Sequence, residues 1–235
     1  MAARDYGQYC GITRALELVG ERWALLIVRD LLVGPRRYGE LAEGLPRIPT
    51  NILAARLKEL QAAGILRRIP HSRVIVYELT PYGRELEPVV LAFGAWGFKA
   101  LDDPREEQII TPDGMTMSLR TAFRPQVAAT LPATAYGAHV GAAELLIRVE
   151  GDSLAVTRGD APVDLAFAAG AGIRRLISGE LAPERAIATG VVQWMLLKVA
   201  VRTKGPNAIG TKTNPESSQL DGRKSRFSDV TVITK

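Results

Sequence analysis

Residues 38–79 read YGELAEGLPRIPTNILAARLKELQAAGILRRIPHSRVIVYEL. The segment 38–45 places its leucines on one face and is followed by Pro46, so it predicts a short helix. A second helix is predicted from residues 49–51, which combine a proline of the first turn with polar capping residues. Three leucines at helical spacing give this second helix an apolar stripe, namely Leu53, Leu57 and Leu60. Two helices joined by a tight turn predict a helix-turn-helix.

Two short β-prone segments follow this motif, at residues 65–69 and 74–79. Residues 70–72 separate them, and this pattern predicts a β-hairpin with a basic tip, which would form a wing. Apolar residues at helical spacing predict longer flanking helices on either side, at 12–32 and 82–101. The order of the elements therefore predicts an α+β fold that begins with a winged helix-turn-helix.

The sequence also predicts structural roles for single residues of the flanking helices. Gly20 either kinks or splits the first flanking helix. Trp23 lies on the apolar stripe of that helix and is expected in the core. Thr80 is expected to cap the second flanking helix. Phe93 and Trp96 are expected in the core or at the interface of a dimer.

The composition limits the possible classes of protein. The chain has 235 residues, 47% of them hydrophobic, which excludes wholesale disorder and allows one or two domains. A single Cys and two His exclude a disulfide scaffold and argue against a metal site. No apolar run reaches the ~18 residues that span a bilayer, and the first residues lack the apolar core of a signal peptide. We therefore expect a cytoplasmic protein without a membrane partner, a metal or another cofactor.

The organisation along the chain predicts three parts. Residues 102–107 form a polar, proline-containing break and mark the first boundary. We expect a winged-helix DNA-binding and dimerisation domain at 1–103. We expect a small α+β domain with an antiparallel sheet at 104–202, where apolar segments flank a turn at Gly151. Residues 203–235 are rich in Lys, Thr, Ser, Asn and Gly and are expected to form a basic, mobile tail.

Basic side chains are concentrated in residues 36–73, which carry eight basic and three acidic groups. Basic charge gathered on one part of a small domain is typical of nucleic-acid binding. A solvated helix face is the alternative interpretation, because exposed helices are often charged. The same residues include the predicted helix-turn-helix and its wing, so the charge favours DNA as the partner.

Several short blocks resemble, in order and spacing, the HxlR family of MarR-like bacterial transcriptional regulators. The blocks are YCGITRALELVGERW (9–23), LLIVRDLL (25–32), GPRRYGEL (34–41), IPTNIL (48–53), RLKEL (56–60), GIL (64–66) and VYELTPYG (76–83). The resemblance covers roughly residues 9–97. It implies a homodimer, joined through the flanking helices, that binds double-stranded operator DNA with a winged helix. The implied function is a sequence-specific regulator, more often a repressor than an activator, of a pseudo-palindromic site.

Residues 116–193 more loosely resemble the sterol-carrier-protein-like domain that some of these regulators carry at the C-terminus. The residues concerned are LRTAFRP (119–125), the paired strands, and LISGEL (176–181). The resemblance implies a pocket for a small apolar or aromatic effector, and a plain apolar core is the alternative interpretation. The side chains expected to line such a pocket include Trp194, Met195 and Leu196.

The start of the second helix of the motif is expected to read bases in the major groove. Asn51 has the amide geometry for paired hydrogen bonds to adenine. Thr50 either caps the helix or contacts a phosphate. Arg56 either reaches a phosphate or pairs with an acidic residue such as Glu40. The predicted DNA contacts are Arg36, Arg37, Pro49, Thr50, Asn51, Arg56, Lys58, His71 and Arg73.

Cys10 carries a separate expectation. The resemblance implies a thiol that senses oxidants or electrophiles, since the family includes such sensors with a Cys near this position. Arg14 lies one turn further on, and a nearby cation would lower the pKa of the thiol. The alternative interpretation is a small buried hydrophobic residue. The sequence has no second Cys to form a disulfide within one chain.

Two other classes of function are alternatives to a regulator. A small-molecule carrier or sequestering protein would use the C-terminal pocket as its main function, but it would not need the basic helix and wing. An enzyme is the weakest interpretation, because the sequence has no Gly-rich phosphate loop, metal-ligand spacing, Gly-x-Ser-x-Gly motif or plausible triad.

Overall fold

The computed structural model describes residues 5–159, 161–197 and 230–232. In these residues the helices are α1 (Gly11–Val19), α2 (Ala24–Val33), α3 (Tyr38–Gly44), α4 (Thr50–Ala62), α5 (Pro81–Arg84), α6 (Glu87–Phe98), α7 (Pro112–Ala122), α8 (Pro125–Ala128), α9 (Ile173–Ile177) and α10 (Pro183–Ala188). The strands are β1 (Leu66–His71), β2 (Val74–Leu79), β3 (Thr134–Val140), β4 (Ala143–Glu150), β5 (Ser153–Arg158), β6 (Leu165–Ala169), β7 (Val192–Leu197) and β8 (Val230–Val232). None of the helices in these ranges combines the length and apolar character that a membrane crossing needs.

Helices α1–α6 and strands β1–β2 form a winged-helix unit around one apolar core. Ile27 and Leu31 of α2 and Leu41 of α3 are completely buried there. The predicted stripe of α4 faces the same core, because Leu53 and Leu60 are buried as well. Burial of a leucine contributes about 1.5–3 kcal/mol, so the stripe fixes which face of α4 points outward.

The predicted helix at 12–32 is two helices in the structure. The Gly20 N–H donates to the Leu16 carbonyl at 2.8 Å and closes the last turn of α1. A Cβ at Gly20 would lie 2.5 Å from the same carbonyl oxygen, so only glycine fits. Trp23 then adopts a left-handed conformation with φ of 82°, and α2 begins at the next residue. Gly20 therefore splits the predicted helix into two and does not only kink it.

The second flanking helix, predicted at 82–101, also divides. Thr80 caps its start as predicted, since its hydroxyl accepts a hydrogen bond from the Gly83 N–H at 3.0 Å. The first helix, α5, ends at Arg84, four residues before Pro88. Proline has no N–H and its ring clashes with the carbonyl four residues earlier, which explains the break. The chain resumes as α6 with Pro88 in its first turn.

The predicted wing is an antiparallel hairpin in which Leu66 pairs with Leu79 and His71 pairs with Val74. The first strand runs two residues further than predicted, to His71, whereas the second has the predicted bounds, so the turn consists of residues 72–73. Ser72 takes a positive φ of 56°, which a tight two-residue turn requires. Arg36 extends the hairpin, because its backbone pairs with that of Tyr77 in an isolated bridge.

A C-terminal unit consists of residues 112–159, 161–197 and 230–232. Its six strands follow the order β5-β4-β3-β6-β7-β8, and β3 pairs with β6 in parallel. The prediction of an antiparallel sheet was therefore wrong for this pair, although the predicted β4–β5 hairpin is confirmed. Strand β5 lies beside β4, whereas β6 lies on the opposite side of the β3–β4 hairpin, beside β3. The chain crosses over the hairpin between β5 and β6, and β6 then runs parallel to β3. Of the predicted tail, residues 230–232 form the edge strand and the others lie outside the described residues.

Helix α7 joins the two units and begins at Pro112. Its N-cap is Thr111, whose hydroxyl accepts from the Gly114 N–H at 3.1 Å. Met117 packs into the core of the winged-helix unit, whereas Met115 packs into the core of the C-terminal unit. One helix thus contributes to both cores.

Candidate nucleic-acid interface

The outward face of α4 presents polar side chains opposite its buried leucines. Thr50, Asn51 and Lys58 are all exposed on this face. Pro49 is the N-cap residue and has an extended backbone, so Thr50 is the first helical residue and does not cap the helix. The Tyr38 hydroxyl donates to the Thr50 carbonyl at 2.8 Å and ties the start of α4 to α3. The start of α4 therefore has a fixed position and a free polar face.

Basic groups surround this face on α3 and on the wing. Arg37 is exposed at the N-terminal end of α3. His71 and Arg73 are exposed at the end of the wing. Within the described part of the chain, neither Arg37, Lys58 nor Arg73 forms an ion pair. These side chains can therefore reach an external anion without breaking an internal contact.

Arg36 points away from this surface into the molecule. Its Nε and Nη2 atoms donate to the two carboxylate oxygens of Asp113 at 2.9 and 2.8 Å. Its side chain is only 15% exposed. The hydrogen bonds and charge of Asp113 raise the pKa of Arg36 against the effect of burial. The structure thus gives Arg36 an internal partner instead of the predicted phosphate contact.

Arg56 is also held inside the protein. Of the two roles considered for it, the structure shows the pairing with acidic residues. Its guanidinium contacts Glu21 at 3.1 Å and also Glu59. Glu40, the partner suggested from the sequence, instead accepts a hydrogen bond from the Arg37 N–H at 2.6 Å. The Arg56 side chain is 14% exposed.

A further group of basic residues beside α4 is not among the predicted DNA contacts, apart from Arg56. Arg22 and Arg47 line a cleft of about 330 Å³ together with Pro49 and Arg56. Arg22 also lies over the ring of Trp23, with 5.0 Å between its Cζ atom and the ring centroid. Arg47 belongs to the basic stretch at 36–73, whereas Arg22 is distant in sequence and only the fold brings it close.

The comparisons with known proteins agree with this geometry. A family model described as HxlR-like helix-turn-helix matches residues 18–105. An uncharacterized HTH-type transcriptional regulator of Synechocystis is 33% identical over 114 residues, which cover 47% of this chain and 84% of the relative. This chain belongs to the HxlR-like helix-turn-helix family. The predicted family resemblance is confirmed for the winged-helix unit.

Other known proteins are similar to part of the chain. An uncharacterized HTH-type transcriptional regulator of Mycobacterium tuberculosis is 39% identical over 112 residues, which cover 46% of this chain. The match covers 65% of that relative, slightly less than two thirds of its length. Among solved structures, the redox regulator HypR in its oxidized form is 31% identical, with a TM-score of 0.38 over 40% of this chain and 100% of that chain.

Helix α7, beyond the matched family region, connects this HxlR-like winged helix to the C-terminal unit through charges. Asp113 of α7 binds Arg36 and also contacts Arg158 of β5 at 2.7 Å. Burial alone would raise the pKa of Asp113, but the hydrogen bonds and charges of these two arginines hold it below its usual value. Arg120 of α7 contacts the Leu32 carbonyl and the Glu87 carboxylate, both at 3.2 Å.

Asp30 of α2 is a second buried carboxylate near this junction. It is 1% exposed, and its Oδ1 atom accepts from Arg29 Nε at 2.8 Å. Its Oδ2 atom has no hydrogen-bond partner in the described residues. Burial raises the pKa of Asp30 to about 6, and the charge and hydrogen bond of Arg29 offset only part of this effect.

This raised pKa predicts a pH dependence of stability. The folded protein binds the Asp30 proton more tightly than the unfolded chain, whose pKa is near 3.8, so the free energy of unfolding falls as pH rises from about 4 to about 6. The expected contribution is about 3 kcal/mol. Urea unfolding of the wild type and Asp30→Asn at several pH values should show the variant gaining stability relative to the wild type across this window.

The lowered pKa of Asp113 acts outside that window, because its contribution is present above its usual pKa of 3.8 and is lost only as the solution becomes more acidic. The matched control is Asp103→Asn, which changes a carboxylate that is 72% exposed. Parallel pH curves for the wild type and Asp30→Asn would contradict the prediction.

Cys10 is exposed at the start of α1, so it is not the buried hydrophobic residue of the alternative interpretation. Hydrogen bonding from the Thr13 N–H, then from the Ile12 N–H and the Thr13 side chain, lowers the pKa of the thiol. Arg14, the cation expected to have this effect, instead pairs with Glu17 at 3.0 Å. The start of a helix thus replaces the predicted cation as the cause.

Helix α6 carries a long apolar sequence, yet none of its residues is buried in the described chain. Phe93 and Trp96 are 59% and 71% exposed, so the expectation that they lie in the core of one chain was wrong. Helix α1 similarly exposes Ile12 and Leu16. Trp23 is half-buried and packs against the core. Large exposed apolar surfaces of this kind mark sites of contact with another molecule.

Proposed function

We propose that this protein is a sequence-specific transcriptional regulator that binds a pseudo-palindromic operator in double-stranded DNA as a homodimer. The observation that carries the proposal is the exposed polar face of α4, fixed at its start and flanked by unpaired basic side chains. Asn51 reads a base edge in the major groove, while Pro49 and Thr50 approach the backbone. Lys58 adds a positive charge further along the helix.

The positions of the other basic residues extend this arrangement. His71 and Arg73 of the wing and Arg37 of α3 contact phosphates on either side of the groove. Arg22 and Arg47 offer a further phosphate contact at the start of α4. Arg36 and Arg56 act indirectly, since their ion pairs hold α3 and α4 in place.

Dimerisation is proposed through the exposed apolar faces of α1 and α6. A second copy of the chain would cover Ile12, Leu16, Phe93 and Trp96, which no residue of the described chain buries. A dimer holds two recognition helices about one DNA turn apart, as a palindrome requires. We assign residues 1–103 to this DNA-binding and dimerisation domain.

The C-terminal part is proposed to supply the response to a signal. We assign residues 104–202 to a sterol-carrier-protein-like domain and 203–235 to a basic tail. Repression follows if the bound dimer occludes a promoter. Release follows if an apolar or aromatic effector, or oxidation of Cys10, stabilises the conformation that does not fit DNA.

The test is selection of duplexes from a random pool by the purified full-length chain, followed by fluorescence anisotropy at several salt concentrations. We expect the selected duplexes to contain two inverted half-sites. Asn51→Ala should weaken binding to them by about 1–3 kcal/mol and relax the preference at one base pair of each half-site. Lys58→Ala should weaken binding to all duplexes alike and reduce the salt slope by about one unit.

The matched control is Gln61→Ala, which removes an exposed polar side chain near the other end of α4. It should leave both affinity and preference unchanged. A pool without enriched sequences, or equal binding by Asn51→Ala and the wild type, would contradict the proposed function.

A further inference from the structure

A cleft of about 490 Å³ lies where the winged-helix unit meets the C-terminal unit. Its walls come from α6, α7, α9 and the segment 99–111 that connects α6 to α7. The lining is mostly apolar and includes Phe98, Met115, Ile173 and Ile177. Its volume falls in the range of pockets that hold small organic molecules. The predicted pocket-lining residue Trp194 lies elsewhere, on β7.

One polar group of this cleft is set to receive a ligand. Arg29 lines the cleft, and its Nε and Nη2 atoms are held by Asp30 at 2.8 and 2.7 Å. Its Nη1 atom has no acceptor in the described residues and lies 4.0 Å from the position that a Cβ on Gly114 would take. Asp30 therefore holds the Nε and Nη2 edge of the guanidinium and leaves Nη1 available to a ligand in the cleft.

The other cation of the cleft already has partners and does not compete for the ligand. Arg174 is already bound to Asp103 and Glu180 at 3.3 and 2.7 Å. Asp102 belongs to the connecting segment. The wall beside Arg29 is the first turn of α7, where the aligned peptide dipoles favour a negative charge.

We propose that this cleft binds an aromatic or medium-chain aliphatic carboxylic acid, whose carboxylate pairs with Arg29 Nη1 and whose apolar part lies between α6, α7 and α9. A carboxylate complements the cation that the cleft leaves unpaired, and the apolar walls exclude water from the pair. The claim that this acid is an effector rests on the proposed function. The claim that the cleft binds the acid does not depend on it.

The position of the cleft explains how an occupant acts on DNA binding. Gly94 and Phe98 of α6 line the cleft, while Phe93 and Trp96 of the same helix form the proposed dimer face. Helix α7 forms another wall and reaches the helix-turn-helix through the pair of Asp113 with Arg36. An acid that fits only one arrangement of α6 and α7 therefore shifts the distance between the two recognition helices.

The binding test uses isothermal titration calorimetry on the full-length protein without DNA. The probes are benzoate, 4-phenylbutyrate and decanoate, each compared with its uncharged amide. We expect at least one acid to bind with a dissociation constant below about 1 mM, and about tenfold more tightly than its amide. If none of the three acids binds below about 5 mM, or acid and amide bind equally, the inference is wrong.

Two variants locate the site. Gly97 lines the cleft, and a Cβ there would meet no atom within 4 Å, so Gly97→Met fills the cleft and should weaken acid binding by at least about tenfold. The matched control is Gly39→Met, another helical glycine with open space, which should leave acid binding unchanged. Equal affinities of Gly97→Met and the wild type would overturn the assignment to this cleft.

Arg29 is tested through the preference for acid over amide. Arg29→Gln should reduce the preference to about one, whereas Arg29→Lys should keep most of it. If Arg29→Gln does not fold, the acid–amide comparison and Gly97→Met still test whether the cleft binds the acid. Since these experiments contain no DNA, binding without operator recognition would leave the site intact and refute only the proposed regulator.

Discussion

Asp113→Asn is expected to lower the free energy of unfolding by about 3 kcal/mol, because it leaves the buried guanidinium of Arg36 without a compensating charge. Asp113 is 2% exposed and binds Arg36 through two hydrogen bonds. Arg158 of β5 contacts the same carboxylate. One substitution therefore weakens the contact of α7 with the winged helix and with the sheet at the same time.

Urea unfolding at pH 7 measures this effect, with Asp103→Asn as the control because its carboxylate also pairs with an arginine but is exposed. The control should change stability little. The double variant Arg36→Met, Asp113→Leu removes both charges and should recover much of the lost stability. Unchanged stability of Asp113→Asn would show that the pair does not hold the two units together.

The parts of the fold that depend on local patterns were predictable from the sequence. The stripe of Leu53, Leu57 and Leu60 gave the buried face of α4, and by exclusion the exposed position of Asn51. The cap at Thr80 and the hairpin of the wing likewise depend on neighbours close in sequence. These signals act within a turn or two of the chain, so one sequence is enough to recognise them.

The parts that depend on distant contacts were not predictable in the same way. Arg36 lies in a basic stretch, but its partner Asp113 is 77 residues away in sequence. The parallel pairing of β3 with β6 depends on how the chain crosses the sheet, which strand periodicity does not encode. An apolar pattern also does not say which molecule covers it, and for this reason the sequence leaves both the core and a dimer interface open for Phe93 and Trp96.

The second large effect is expected on self-association, through the exposed aromatic side chains of α6. Trp96→Glu should weaken self-association by at least about 30-fold, since removal of an aromatic residue from the centre of an interface costs about 2 kcal/mol or more. A buried carboxylate in a symmetric interface would also meet its own copy, which adds repulsion. Trp96 is 71% exposed in the described chain, so the substitution should not disturb the fold of one subunit.

Sedimentation velocity across a range of concentrations measures self-association, and anisotropy with a two-half-site duplex measures its consequence for DNA. We expect Trp96→Glu to bind that duplex no more tightly than a single half-site, because the second recognition helix is no longer held close by. Leu131→Glu is the matched control, since it introduces the same charge at a residue that is 55% exposed and lies outside α1 and α6. A Trp96→Glu protein that remains dimeric would place the interface elsewhere, and the exposed face of α6 would then need a different partner.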